Sequence, residues 1–303
     1  MFDLFFHPIY TYGIDKNSRF PRERYELTRK SIDIINTNIN FQQPTMAEIE
    51  DIYLAHDKEF VNSFIDGLLT KKEKRQIGLQ PWNKHIIERT RYIIGGSIGA
   101  LKSAIERNNI AGNMAGGTHH AHFSYGSGYC IFNDIAICAI KSIIDYDNIN
   151  NVLIIDLDVH QGDGTASILE NHGDIFTFSM HCEKNFPLKK MKSDIDVSLD
   201  KGMRDNEYLD ILEKYIQILK KIKSDLILFQ AGVDILSHDN LGYLEISRDG
   251  IKKRNEIILN FAEEKKIPLV VFMGGGYAKP IEYSVDAYTD LFLQCSDYAN
   301  CFN

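Results

Sequence analysis

The stretch "NVLIIDLDVHQGDGT", residues 151–165, ends an aliphatic run with Asp156, Asp158 and His160 at every second position. Successive strand side chains point to opposite faces, so a strand carried through this run crowds two carboxylates and an imidazole together. Burying such charges is costly unless a cation sits among them. Asp158 and His160, joined by Asp234 from another segment, supply two oxygen donors and one imidazole. That set leaves a position for water, as catalytic zinc requires. Fe(II) or another divalent ion suits the same donors, so the metal stays open.

Two further groups suit such a centre. His119 and His120 follow Gly116 and Gly117, whose backbone can turn tightly beside a ligand. A histidine near activated water can act as general base and then protonate the leaving group, given a carboxylate to orient its other nitrogen. Asp156 and Asp163 are the acidic residues of the opening stretch left over by the metal, one for each histidine. Tyr277 follows "GGG" (274–276), a turn able to carry a phenol toward an oxyanion. In isolation an HH pair or a GGGY turn is commonly structural. Together these parts describe metal-assisted hydrolysis of an amide.

The elements that must position them alternate. Strands are expected at 2–7, 110–116, 151–160, 174–181, 224–232 and 268–275, with amphipathic helices clearest at 206–223 and 247–266. Before residue 110 the pattern is mostly helical, over 22–38 and 85–108. The alternation predicts an α/β fold: a central, mostly parallel sheet of about eight strands with helices on both faces. No linker or repeat divides the chain, so residues 1–303 read as one domain. Ligands of open α/β sheets bind beyond the carboxyl ends of the strands. "GGTHHAHF", "QGDGT", "VDILSHDNLG" and "GGGYAK" all follow expected strands, so they converge if the sheet is parallel.

Composition narrows the class. The 303 residues are 44% hydrophobic, enough for a full core, and the formal net charge is -8. That balance speaks against nucleic acid and suits a cationic partner, such as a lysine-bearing peptide or a polyamine. The short lysine runs "KKEKR" (71–75) and "LKKMK" (188–192) read as solvated surface. No apolar run is long enough to cross a membrane, and "MFDLFFHPIY" lacks a secretory core. Cys130, Cys138, Cys182, Cys295 and Cys301 show no CxxC spacing, which predicts free thiols in a reducing cytoplasm. Cys130 and Cys182 read as packing residues, and His122 and His238 as rim or supporting residues.

At this point the blocks "GGTHHAHFSYGSGYCIFND", "DLDVHQGDGT", "QAGVD" and "GGGY" resemble those of the histone deacetylase superfamily, with its arginase/deacetylase fold. The likeness runs from "HPIY" through "AHDKEFV" (55–61) to Tyr277, and "FSMHCEKNFP" and "DNLGYLEIS" are most like the class IV branch and its bacterial relatives. The resemblance implies that Asp158, His160 and Asp234 bind zinc. It makes His120, oriented by Asp163, the main proton-transfer residue, supported by His119 with Asp156, and it has Tyr277 polarise the acyl carbonyl. Gly128, Tyr129, Phe186 and Leu241 would line an acyl-lysine tunnel, Tyr129 standing where many relatives have phenylalanine. A structural potassium ion would take Asp156, Asp158, His160, Ser179 and Met180. The implied substrate is an acyl-lysine protein or peptide, with acetyl or longer acyl groups.

Three other readings compete. A two-manganese ureohydrolase needs a second acid two residues beyond Asp234, where this chain has Leu236. An acetylpolyamine amidohydrolase shares the catalytic set but is less like the "EKNFP" region. A degenerate acyl-lysine binder would have lost a ligand, a histidine or the tyrosine, and all are present.

Overall fold

A computed structural model describes residues 1–35 and 38–301, with only the backbone of Cys301. Eight strands form one sheet: β1 (Phe2–Phe5), β2 (Ile39–Gln42), β3 (Ile110–Asn113), β4 (Val152–Asp156), β5 (Ile175–Cys182), β6 (Ile195–Leu199), β7 (Leu226–Gln230) and β8 (Leu269–Phe272). Their order is β2-β1-β3-β8-β7-β4-β5-β6, and every pairing is parallel. Every residue of β3, β4, β7 and β8 is buried, which requires helices on both faces. This is the α/β architecture expected, consistent with an arginase/deacetylase fold.

Helices fall where the periodicity places them, at Glu23–Ile35, Lys84–Arg107, Asp205–Leu219 and Arg248–Lys265. Residues 36–37 of the expected first helix lie outside the described residues. Their ends follow local chemistry. Asn83 caps the second through the His85 N–H and Ser247 the fourth through Gly250 N–H, while left-handed Asn108 and Lys266 close them.

Two departures matter. The strands β2 and β6 were absent from the expected set. Both are short edge strands whose pairing comes from β1 and β5 rather than from a strong pattern of their own. The strand expected over 151–160 stops at Asp156, so Asp158 and His160 do not share a strand face with it. The reason is local: Asp156 accepts the Asp158 N–H at 3.1 Å and Asp158 accepts the His160 N–H at 3.0 Å. Carboxylates that capture the backbone two residues on turn the chain out of the ladder.

Cys130, Cys138, Cys182 and Cys295 are buried free thiols, and the Cys301 side chain lies outside the described residues. Among the described residues, no helix is long and apolar enough to cross a membrane.

A candidate metal centre at the middle of the sheet

The four segments singled out by sequence follow β3, β8, β7 and β4, which are consecutive neighbours in the sheet. At one strand spacing each, their ends span about 14 Å, close enough for side chains from all four to meet.

Asp158, His160 and Asp234 do meet. All three are buried, and one donor atom from each lies within 4.8 Å of the others. The two carboxylates are held by fixed donors. Asp158 Oδ2 accepts the Gly275 N–H at 2.8 Å and Gln230 Nε2 at 3.1 Å, and Asp234 Oδ1 accepts the Val159 N–H at 2.9 Å. Glycine is required around them: a Cβ on Gly232 would collide with Asp158 Oδ2, and one on Gly275 with Asp234 Oδ2.

The electrostatics call for a cation. Burial and then the Asp158 charge push Asp234 up to about 7. Burial disfavours a charge on His160, yet hydrogen bonds to Asp158 and Asp234 raise it to about 10, so a proton bridges the carboxylates. A buried set of two oxygens and one nitrogen that already stabilises positive charge fits Zn²⁺ or Fe²⁺.

Beside it, His119 Nδ1 lies 2.7 Å from Asp156 Oδ2 and His120 Nδ1 2.6 Å from Asp163 Oδ1. The two rings sit 4.0 Å apart but titrate differently. Burial opposes charge on His119, while Asp156 and Asp158 outweigh it and hold the group at about 9. Burial and then the His119 charge push His120 down to about 4. Environments that separate two similar groups in this way suit distinct acid and base roles. Asp163 is shared: its second oxygen receives His122 Nε2 at 2.9 Å, with the His122 ring stacked on Tyr125. His122 therefore supports Asp163, as expected of it, while His238 is exposed and stacks on Tyr283.

A cleft of about 390 Å³ leads to these groups, lined by Gly128, Tyr129, Phe186, Leu241 and Tyr277 with His120 and His160 at its base. Gly128 and Tyr129 take φ of 52° and 66°. Only the missing Cβ at Gly128 lets His120 and Phe186 approach, while Tyr129 carries the strain of a left-handed non-glycine residue. Phe186 packs edge-on to His120 at 4.8 Å, and Leu241 lies half-exposed at the mouth.

The turn that carries Tyr277 is held by Asp239, which stands in the quoted "DNLGYLEIS", and by Arg24 and Tyr288, which motif reading missed. The Tyr277 N–H donates to Asp239 Oδ2 at 2.6 Å, and Arg24 donates to the Gly274 and Gly276 carbonyls at 2.9 and 3.0 Å beneath the ring. Tyr288 donates to the Gly275 carbonyl at 2.6 Å. Arg24 and Tyr288 carry no local sequence signal, because only the fold brings helices from both ends of the chain under this turn. Gln230 stood inside the quoted "QAGVD" and was detectable there. Ser179 and Asp156 are register partners on β5 and β4, with Met180 fully buried alongside, and the Ser179 hydroxyl contacts His181 Nδ1 at 2.9 Å. Cys130 and Cys182 are buried thiols whose ionisation burial opposes, in keeping with packing roles.

The sequence matches the histone deacetylase domain family over residues 18–291. An uncharacterized protein of Picosynechococcus sp. is 40% identical over 283 residues, 92% of this chain and 93% of the relative. Histone deacetylase 2 of Arabidopsis thaliana is 33% identical over 246 residues, 78% of this chain and 63% of the plant protein. The acetoin utilization protein AcuC of Staphylococcus aureus is 27% identical over 305 residues, covering 92% and 77% of the two chains. With nearly the whole sheet and all four strand-end segments inside the matched region, the chain belongs to the histone deacetylase family.

Proposed function

We propose that this chain is a metal-dependent amidohydrolase that removes acetyl or longer acyl groups from the ε-amino group of lysine in proteins or peptides. The observation that carries the reading is the cleft itself: an aromatic-walled passage ends at a buried two-carboxylate, one-imidazole set flanked by two His–Asp pairs and a tyrosine.

Asp158, His160 and Asp234 hold the ion, zinc or Fe²⁺. When bound, it supplies Lewis acidity, polarising a carbonyl and lowering the pKa of water from 15.7 toward about 7. His120 is neutral at neutral pH, so it takes the proton from attacking water and passes it to the departing lysine amine. His119, held protonated by Asp156, stabilises the negative charge that develops beside it. Burial keeps the Tyr277 hydroxyl protonated, ready to donate to the oxyanion. Gly128, Tyr129 and Phe186 grip the acyl-lysine stem, and Leu241 meets it at the entrance.

The oxygen-rich end of β4 and β5 is proposed to bind potassium through Asp156, Asp158, His160, Ser179 and Met180, which would offset its buried carboxylates. The "EKNFP" and "DNLGYLEIS" segments support a class IV assignment, and the free thiols support a cytoplasmic location.

The direct test is turnover of acetyl-, octanoyl- and myristoyl-lysine peptides by zinc-loaded protein. Cleavage of at least one chain length is expected. A metal-replete protein that cleaves none would sink the reading.

A further inference from the structure

The two lysine runs that pattern alone assigns to solvated surface flank one opening. Gln76, Ile77 and Gly78, directly after the first run, line the cleft, as do Asn185 and Phe186 just before the second. A groove of about 480 Å³, lined by Lys71, Lys74, Arg75 and Trp82, adjoins the cleft through the shared Gly78. The helix Lys71–Ile77 that carries these cations is fixed at both ends, by the Thr70–Glu73 capping box and by Gly78 in a left-handed turn.

These cations lack carboxylate partners, although Lys74 reaches the Gly67 carbonyl at 3.5 Å and Arg75 the Lys71 carbonyl at 3.3 Å. Among the described residues, Lys71, Lys72, Lys74 and Arg75 form no ion pair. Nor do Lys184, Lys189, Lys190 and Lys192, although Lys190 is engaged by the Glu183, Asn185 and Pro187 carbonyls at 3.0, 2.8 and 2.7 Å. The acid within the first run, Glu73, is occupied by the Thr70 backbone and hydroxyl, and Glu183, five residues before the second, by the Ser198 hydroxyl. Elsewhere cations do pair, as Lys141 does with Asp51 and Asp145, and Arg248 with Asp286 and Asp290. A chain of net charge -8 has thus kept positive charge without carboxylate partners, among the described residues, beside this cleft. Such a field attracts acidic partners and repels basic ones.

We propose that the mouth selects acyl-lysines embedded in acidic protein segments, with substrate Asp or Glu side chains seated against Lys71, Lys74 and Arg75. The inference rests on the acyl-lysine reading above and names its substrate class. An extended chain advances at most about 3.3–3.6 Å per residue, so residues a few positions from the acyl-lysine reach a groove that starts at the cleft wall. A recessed groove fits a peptide better than a flat membrane, although Leu188, 98% exposed beside Lys189 and Lys190, is the kind of residue a bilayer would take. Lysine-rich tails of the histone type, and polyamines, are disfavoured on the same grounds.

Binding is measured by fluorescence anisotropy, beside turnover, for acetyl- and octanoyl-lysine peptides with acidic, neutral or basic flanks at 50 and 300 mM salt. The acidic peptides should show Kd and KM about tenfold below the neutral ones, with the gap shrinking at high salt as screening shortens to well under 10 Å. Lys71→Gln/Lys74→Gln/Arg75→Gln and its charge-reversed Glu counterpart, each checked for unchanged melting, should level the three peptides. Equal binding whatever the flanks, or an acidic preference that both variants retain, overturns the proposal. An acidic preference in binding without turnover upholds the docking surface while removing the hydrolase reading. Sedimentation with phosphatidylglycerol vesicles that the variants lose, without any peptide preference, would assign the patch to a membrane and overturn it too.

Discussion

At the residue scale, the division of labour proposed for His119 and His120 rests on two neighbouring carboxylates and one neighbouring charge. Removing His120 should therefore cost more turnover than removing His119, while neither changes metal content. Equal losses in His120→Ala and His119→Ala would contradict that division. In the proposed reaction the Tyr277 hydroxyl is called on only as charge develops on the acyl oxygen. Tyr277→Phe should lower kcat by about 10²–10³ and leave peptide affinity nearly unchanged, as separate kcat and KM measurements would reveal. The residue types for this chemistry were legible in the sequence because motifs carry them in short order. Their supports were less so. Arg24 and Tyr288 brace the glycine turn from positions 250 and 14 residues away, respectively, and no local pattern announces them.

At the element scale, the buried strands announced themselves by unbroken aliphatic runs, while β2 and β6 borrow their conformation from a neighbour. Asp156 was expected to share a strand face with Asp158 and His160. Asx-type turns instead carry Asp158 and His160 past the strand end, where they can meet Asp234. That arrangement depends on the glycines packed against it, so Gly275→Ala should cut metal affinity at least tenfold with the fold retained, as metal titration followed by circular dichroism would show. An unchanged affinity would mean the turn accommodates the methyl group. A second prediction concerns His56, ahead of the helix Lys58–Ile65. It accepts the Asn133 N–H at 2.8 Å, and its other ring nitrogen lies 3.0 Å from the His122 carbonyl. Burial lowers it to about 4. Since its unfolded value is near 6.5, unfolding takes up a proton between these limits. Its contribution is complete above pH 6.5 and declines by about 3 kcal/mol as the pH falls toward 4. Denaturant unfolding of His56→Gln across this range should lack that part of the slope; a slope identical to the parent's would refute the assignment.

At the scale of the whole molecule, the fold class was legible from alternation alone, and the meeting of four distant segments followed from parallel strands. Charge was not legible in this way. The net charge of -8 points to a cationic partner, whereas the cations around the opening are those left unpaired by the fold. The metal should also be a fold component, because the unfolded chain cannot present the three donors together. Zinc at a hundred times its Kd should stabilise the chain by about 2.7 kcal/mol, raising Tm by several degrees, and chelation should reverse it. Asp234→Ala should show no such shift. The central claim is tested most directly by hydrolysis of acetyl-, octanoyl- and myristoyl-lysine peptides, with zinc-loaded protein assayed beside Tyr277→Phe and His120→Ala. The account predicts release of the acyl group from at least one peptide, with both substitutions reducing it by two orders of magnitude or more. Undiminished hydrolysis in both variants, or none by the metal-replete parent at any chain length, would contradict it.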